Sequence, residues 1–263
     1  MLLPRLALLA ALSLATIGQG AAQQEEVPPE GIQIGLSTDS VAITSDFAGT
    51  NLTIFGALDN ADPLVSRQGR YDVIVVLEGP PRTTVVRKKT RVLGMWINTD
   101  SVVFKDVPAS YSVAMTRQPQ DITDPGSYGR LALRVDNIHL QPLDADGNPR
   151  TIEEFAAALV ERKEAADLYV ENVGGVQFLS RTLFRATLYL APHVPVGTHN
   201  ARAFLFRNGV FLRETSAPLT IRKAGMEQRI FEFAHRQSLL YGLSAVLLAI
   251  ATGWLGRLVF RRD

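Results

Sequence analysis

The C-terminal end of the chain carries the feature that most restricts its fold. An uncharged, largely apolar run extends from Leu239 to Gly256, and Leu258 to Phe260 continue it beyond Arg257. A run of about 20 apolar residues has the length of a helix that crosses a bilayer. The alternative is a buried helix of a soluble domain, but the arginines that directly follow the run favour a membrane span. The sequence therefore predicts a transmembrane helix over residues 239–260.

The N-terminal end has a second, shorter apolar run. Arg5 precedes Leu6 to Ile17, and small residues follow up to Ala22. One positive charge, an apolar stretch of about a dozen residues and small residues at its end are typical of a secretory signal peptide. An uncleaved anchor is the alternative, but the run is short for a hydrocarbon core of about 30 Å. We expect cleavage after Ala22.

The two ends together predict a location and an orientation. Arg257, Arg261 and Arg262 lie at the far end of the predicted span, and positive charge favours the cytoplasmic side. The signal peptide independently exports the segment that precedes the span. We therefore expect a single-pass protein of the inner membrane with its body in the periplasm and its C-terminus in the cytoplasm.

Composition removes several classes of chemistry. The chain has 263 residues, a formal net charge of +1 and no cysteine. Disulfides, thiolate metal sites and cysteine nucleophiles are therefore excluded, and no strong field points to a nucleic acid partner. Roughly 200 residues remain between the apolar ends, which is enough for one large domain or two small ones.

Most of this body has the pattern of β-strands. Ile32, Ile34 and Leu36 alternate with polar or small residues, as in a strand with one buried face. Tyr71 to Leu77 is a nearly continuous apolar run, which indicates a strand buried on both faces. Repeated short strands separated by turns favour an Ig-like β-sandwich. Further strands are predicted over Thr83–Val92, Met95–Asn98, Ser101–Val107, Tyr111–Thr116, Leu183–Leu190, Gly197–Phe206 and Phe211–Ile221.

The last three of these strands leave an alternative open. They follow a non-β segment and meet in a tight hairpin at Asn208-Gly209, where both residue types tolerate positive φ. They could complete the first sandwich or form a second, smaller one. The predicted boundaries are 1–22 signal peptide, 23–30 linker, 31–118 β-sandwich, 119–175 loop and amphipathic helix, 176–224 further strands, 225–238 juxtamembrane helix, 239–260 transmembrane helix and 261–263 cytoplasmic tail.

Two predictions concern the segment between the strands. Pro119 to Gly129 has the composition of a loop. Thr151 and Glu154 have the spacing of a capping box, which predicts that an amphipathic helix begins at Thr151. Ile152, Phe155 and later apolar residues recur at helical spacing and predict its buried face.

Seven segments distributed over the mature chain carry a resemblance to known sequences. They are Ile34–Asp39, Leu52–Gly56, Tyr71–Val76, Gly94–Asn98, Leu183–Ala186, Pro195–Thr198 and Ala234–Trp254. Together they resemble an uncharacterised family of alphaproteobacterial transmembrane proteins. The resemblance spans nearly the whole mature chain and implies no established activity. It does imply a partner, because members of such a family are associated with permeases of the sulfite-exporter type.

One predicted hairpin is strongly basic. Charged residues commonly protect a sheet edge, and this is the simpler interpretation. The functional interpretation is a surface for an anion or an acidic partner. Trp96 lies in the same hairpin, where the flanking β pattern favours a buried core residue over an exposed binding anchor. The candidate surface comprises Arg82, Arg87, Lys88, Lys89, Arg91 and Trp96.

Two other constellations are weaker. His193 and His199 flank a loop and could approach zinc, but a catalytic zinc site normally has three protein ligands and no third is evident. Asp144 to Asn148 resembles a calcium loop, yet the glycine and the glutamate that an EF-hand needs are missing at their positions. No nucleophile elbow, P-loop or dinucleotide motif occurs. We expect no enzyme activity, no metal and no cofactor.

Small residues follow one face of the predicted span: Gly242, Ala245, Ala249 and Gly253. Such residues let transmembrane helices approach closely. The resulting hypothesis is a periplasmic interaction domain, tethered by one span, that serves a membrane partner such as a transporter. The competing hypothesis is a membrane-anchored module that binds a small anion or a metal, with or without catalysis, using the basic hairpin, the histidine loop or both.

Overall fold

The computed structural model describes residues 29–44, 47–143, 148–224 and 233–259. The predicted signal peptide, most of the linker, the first part of the juxtamembrane helix, the cytoplasmic tail and residues 144–147 of the calcium-like loop lie outside these ranges. The strands are β1 Gly31–Leu36, β2 Ser40–Ile43, β3 Thr50–Asp59, β4 Tyr71–Glu78, β5 Pro81–Val92, β6 Met95–Pro108, β7 Tyr111–Met115, β8 Gln141–Pro142, β9 Tyr169–Val173, β10 Val176–Phe178, β11 Leu183–Leu190, β12 Gly197–Arg207 and β13 Val210–Lys223. The helices are α1 Pro63–Arg67, α2 Pro119–Ile122, α3 Pro125–Leu131, α4 Pro149–Glu164 and α5 Ser238–Val259, with a 3₁₀ turn at Val135–Asn137.

The predicted mainly β fold is confirmed, and the body is built on two packed sheets. One has the strand order β1-β3-β11-β10 and the other β2-β13-β12-β4-β7-β9. Because β11 pairs with β3 and β12 pairs with β4, the late strands enter the same two sheets as the early ones. The structure therefore favours completion of the first sandwich over a second one.

The main core lies between these sheets. Ile54 and Phe184 from the first sheet and Val75, Ala203 and Leu205 from the second are fully buried there. Strand β4 is buried along almost its whole length, as the apolar run predicted, because its other face contacts a second core. Covering both faces of a central strand requires elements outside the sandwich.

Two short helices provide that cover, and the prediction of a loop over 119–129 is wrong. Helices α2 and α3 each begin with a proline in the first turn, and the Asp124 side chain accepts a hydrogen bond from the Ser127 amide. Proline at the first helical position and aspartate at the N-cap are helix-start signals. Ile122 and Tyr128 are buried against the second sheet. Turn-like composition here marks helix starts.

Helix α4 begins earlier than predicted. Asn148 is its N-cap, with the side chain accepting from the Arg150 amide, and Pro149 lies in the first turn. Thr151 is therefore inside the helix, and the capping-box prediction is wrong. The buried face is as predicted: Phe155 and Leu159 are both buried.

A third, small sheet has the order β5-β6-β8, and α4 packs on it. Strand β6 is continuous where two separate strands were predicted. The polar residues between Asn98 and Ser101 favoured a turn, but the structure accommodates them as a β-bulge, with Lys88 opposite Asp100 and Lys89 opposite Asn98. Strand β5 forms the edge of this sheet.

The C-terminal helix α5 matches the predicted span. Its apolar segment Ser238–Gly256 is long enough to cross a membrane, and none of it is buried in the structure. A core helix of a soluble domain would bury one face. Phe233 to Arg236 are also helical and lead towards α5.

Candidate functional site

Strands β5 and β6 form a hairpin that extends beyond the body. Val86 and its partner Val102 are the last apolar pair that packs with α4. Six further pairs follow, from Arg87 with Ser101 to Val92 with Met95. At about 3.3 Å per residue, they add roughly 20 Å of hairpin. We call residues 87–101 the arm.

The end of the arm exposes large apolar side chains. Leu93 is 95% exposed, Trp96 68% and Met95 64%, and we call these three residues the tip. Burying each side chain would gain about 1.5–3 kcal/mol relative to leaving it in water. The interpretation of Trp96 as a core residue is wrong, because the strand pair continues past the body that would have covered it.

The arm separates the basic residues onto two faces. Side chains alternate along β5, so Lys88 shares the α4 side with Val86, and its ammonium lies 3.7 Å from Glu154. Arg87, Lys89 and Arg91 project from the opposite face. Arg91 pairs directly with Trp96, so both side chains lie on that face. Within the described ranges, no carboxylate lies within ion-pair distance of these three cations.

Arg82 lies at the base of the hairpin, apart from the other basic residues. There its charge, together with the stronger effect of burial, lowers the pKa of Lys163. The predicted surface is therefore one compact group, Arg87, Lys89, Arg91 and Trp96, with Arg82 and Lys88 outside it. Edge protection fits the position of β5 and stays a prediction, as does partner binding.

The two residues of the histidine loop, His193 and His199, lie in different environments. His199 is completely buried, whereas His193 is exposed. The His199 ring contacts the Ser110 hydroxyl at 3.1 Å through Nε2 and the Gly197 carbonyl at 3.3 Å through Nδ1. Among the described residues, no group of three histidine or carboxylate side chains could hold a metal ion.

No sequence motif marks Ser110, whose hydroxyl contacts the buried imidazole of His199. A serine and a histidine at this distance could serve as nucleophile and base. The adjoining cavity has a volume of only about 10 Å³, however, close to the minimum for a single water. A substrate has no room at this hydroxyl, and the pair instead links the residue before β7 to strand β12.

Burial of His199 predicts a pH dependence of stability. Burial lowers the pKa of His199 from 6.5, and the hydrogen bond to Gly197 opposes that shift only in part. Below about pH 6.5 the His199 imidazole therefore binds a proton in the unfolded chain, whereas the folded chain keeps it neutral to lower pH. We expect the free energy of unfolding to fall with decreasing pH below that value, by at most about 1.4 kcal/mol per pH unit.

Urea unfolding of the detergent-solubilised full chain between neutral and mildly acidic pH measures this slope. The matched control is His193→Gln, which removes an exposed imidazole and should keep the wild-type slope. His199→Gln should be less stable and lose part of the dependence. Equal slopes for all three proteins would contradict the assignment.

The fold now defines a class: a transmembrane protein with a β-rich body and one candidate C-terminal span. The family described as "Putative transmembrane protein (Alph_Pro_TM)" matches residues 31–262, and the chain belongs to it. The resemblance seen in the sequence is thereby confirmed. No curated protein matches the chain.

Two solved structures show only a weak likeness. AggA, the major subunit of aggregative adherence fimbriae type I from Escherichia coli, is 10% identical, with a TM-score of 0.26, over 74% of this chain and 95% of its own. AvmM, described as catalysing macrocyclization in alchivemycin A biosynthesis, is 9% identical, with a TM-score of 0.25, over 75% of this chain and 90% of its own. These similarities carry no argument about function.

Proposed function

We propose that this protein is a single-span interaction module that acts at a membrane through contacts of its β body, without catalysis. The observation that carries the proposal is the arm: its tip presents three exposed apolar side chains at the end of a projecting hairpin. Soluble surfaces rarely keep such a cluster uncovered unless it contacts something. The apolar helix α5 keeps the body close to the bilayer and its proteins.

The most specific form of this proposal is an accessory protein of a membrane-embedded partner, such as a permease of the sulfite-exporter type. The body would lie in the periplasm and the C-terminus in the cytoplasm of a single-pass inner-membrane protein. In support, Gly242, Ala245, Ala249 and Gly253 fall on one side of α5, where a second helix could pack.

Photocrosslinking in native membranes tests the partner. A crosslinker placed at Ala245 or Ala249 should form a defined adduct with another membrane protein. The matched control positions, Leu243 and Leu247, lie on the other side of the helix and should yield little of that adduct. Monomer alone at all four positions would count against the proposal.

The alternative, a module for a small anion or a metal, makes a different prediction. Thermal unfolding of the solubilised protein, screened with small oxyanions and divalent metals, should then show a stabilising shift that is lost in Arg87→Ala or His193→Ala. The interaction proposal predicts no such shift. The burial of His199, the exposure of His193 and the lack of room beside Ser110 favour the interaction proposal.

A further inference from the structure

We propose that the tip of the arm inserts into the surface of a bilayer that contains anionic phospholipids. Leu93 and Met95 enter the boundary of the acyl chains, Trp96 lies at the interface, and the basic face of the arm binds lipid phosphates. The body is then attached to the membrane at two points, α5 and the arm. This inference rests on the proposed function only in that the tethered body works at a membrane surface.

Leu93 is the first observation. It occupies the hairpin turn with φ +49, followed by Gly94 with φ +83. Asparagine or aspartate suits this first position, and a leucine there is strained. Leucine is also almost fully exposed at this point. A residue that is unfavourable both for the turn and for solvation indicates a selected role outside the folded body.

Charge is the second observation. Arg87, Lys89 and Arg91 lie on one face of the arm, and no carboxylate of the described chain pairs with them. Arginine and lysine reach lipid phosphates while their alkyl stems cover apolar surface. Trp96 shares their face, and tryptophan prefers the interface between water and hydrocarbon. Apolar residues at the end with cations behind them match the layers of an anionic bilayer surface.

The size of the tip favours lipid over protein as its direct contact. A stable protein interface buries about 800 Å² on each partner. A two-stranded hairpin end with three large apolar side chains offers a narrow, convex surface, whereas shallow insertion into a bilayer needs only a few such side chains. The membrane is also close to the body, because the same chain carries an apolar helix long enough to span it.

Fluorescence of Trp96 in full-length protein tests the inference. The chain has two tryptophans, so Trp254→Phe leaves Trp96 as the only one. This protein is reconstituted into vesicles of phosphatidylcholine, with or without phosphatidylglycerol and with or without brominated lipid. With phosphatidylglycerol, we expect blue-shifted emission, quenching by the brominated lipid and protection from acrylamide. All three effects should weaken near 1 M salt, where the Debye length falls to about 3 Å.

Two variants separate the contributions of charge and of the apolar tip. Each cation near an anionic surface contributes about fivefold, so Arg87→Gln/Lys89→Gln/Arg91→Gln should lower the ratio of inserted to free arm roughly a hundredfold. The matched control neutralises three exposed arginines elsewhere, Arg67, Arg70 and Arg162, and should leave insertion unchanged. Leu93→Asn suits the turn, so it should abolish most insertion without lowering thermal stability.

The inference is overturned if Trp96 is equally open to acrylamide in both kinds of vesicle and in both triple variants. A second outcome also overturns it: brominated lipid does not quench Trp96, and a photocrosslinker at Leu93 captures a protein in native membranes. That outcome would support the proposed function. If brominated lipid quenches Trp96 but no partner crosslinks to α5, insertion of the arm is supported and the proposed accessory role is contradicted.

Discussion

A chain that ends after Ala224 is expected to be released from membranes by alkaline carbonate, whereas the full-length protein resists this extraction. The reason is the segment Ser238–Gly256, which is apolar, uncharged and unburied by the body. Leucine, isoleucine and valine each favour insertion by about 0.3–0.6 kcal/mol at the centre of a span. No other apolar segment of that length occurs among the described residues. Fractionation followed by immunoblotting measures the shift.

Point substitutions provide a matched control for this truncation. An arginine at the centre of a span costs about 2.5–3.5 kcal/mol, so Leu247→Arg with Ile250→Arg should release much of the protein. Leu247→Ala with Ile250→Ala changes the same positions and should keep it in the membrane. If the truncated chain stays resistant to carbonate, α5 is not the anchor.

Loss of Arg117 is expected to cause the largest drop in folding stability among the surface-accessible side chains discussed. Its guanidinium forms a bidentate pair with Asp72, donating from Nε to Oδ1 at 2.8 Å and from Nη2 to Oδ2. This bonding raises the pKa of Arg117. Asp72 is 1% exposed on the central strand β4, and its other partner is the Thr116 hydroxyl at 2.9 Å. Arg117→Ala leaves a buried, uncompensated carboxylate, which costs about 3–5 kcal/mol.

Arg117 and Asp72 differ in burial, and comparing their substitutions tests whether the cost comes from the buried carboxylate. The Arg117 side chain is half exposed and can be hydrated when its partner is lost. Asp72→Asn should therefore cost less, about 1–3 kcal/mol. The double variant should be less destabilised than the sum of the single variants, because the buried charge is gone. Urea unfolding followed by circular dichroism measures all three, with Arg70→Ala, an exposed arginine, as the control.

The sequence patterns that predicted the structure correctly were those with a single physical interpretation. The run Tyr71–Leu77 predicted a strand buried on both faces, and β4 is such a strand. Asn208-Gly209 predicted a tight turn, and both residues have positive φ. Where two causes compete, prediction failed. Proline, glycine and aspartate over 119–129 suggested a loop, but proline and aspartate also start helices, and burial of Ile122 and Tyr128 decided between them.

The candidate site could be predicted only in part. The basic composition of the hairpin was evident, but its division between two faces depends on register, and register depends on where Val86 meets the α4 cluster. The exposure of Trp96 could not be predicted from the alternation of apolar and polar residues along the strand. Alternation shows that the two faces of the hairpin differ, but it does not show how far the strands extend beyond the body. The one local signal for the tip was Leu93-Gly94, where a turn position normally taken by asparagine holds a leucine.

We propose that this protein acts by contact with a membrane-embedded partner. Affinity capture of the full-length chain from detergent-solubilised native membranes, with the co-purifying proteins identified by mass spectrometry, is the decisive experiment. We expect recovery of one defined membrane protein with the full-length chain, and loss of that protein when α5 is replaced by an unrelated span. Recovery of the chain by itself, or of the same companions with both spans, would contradict it.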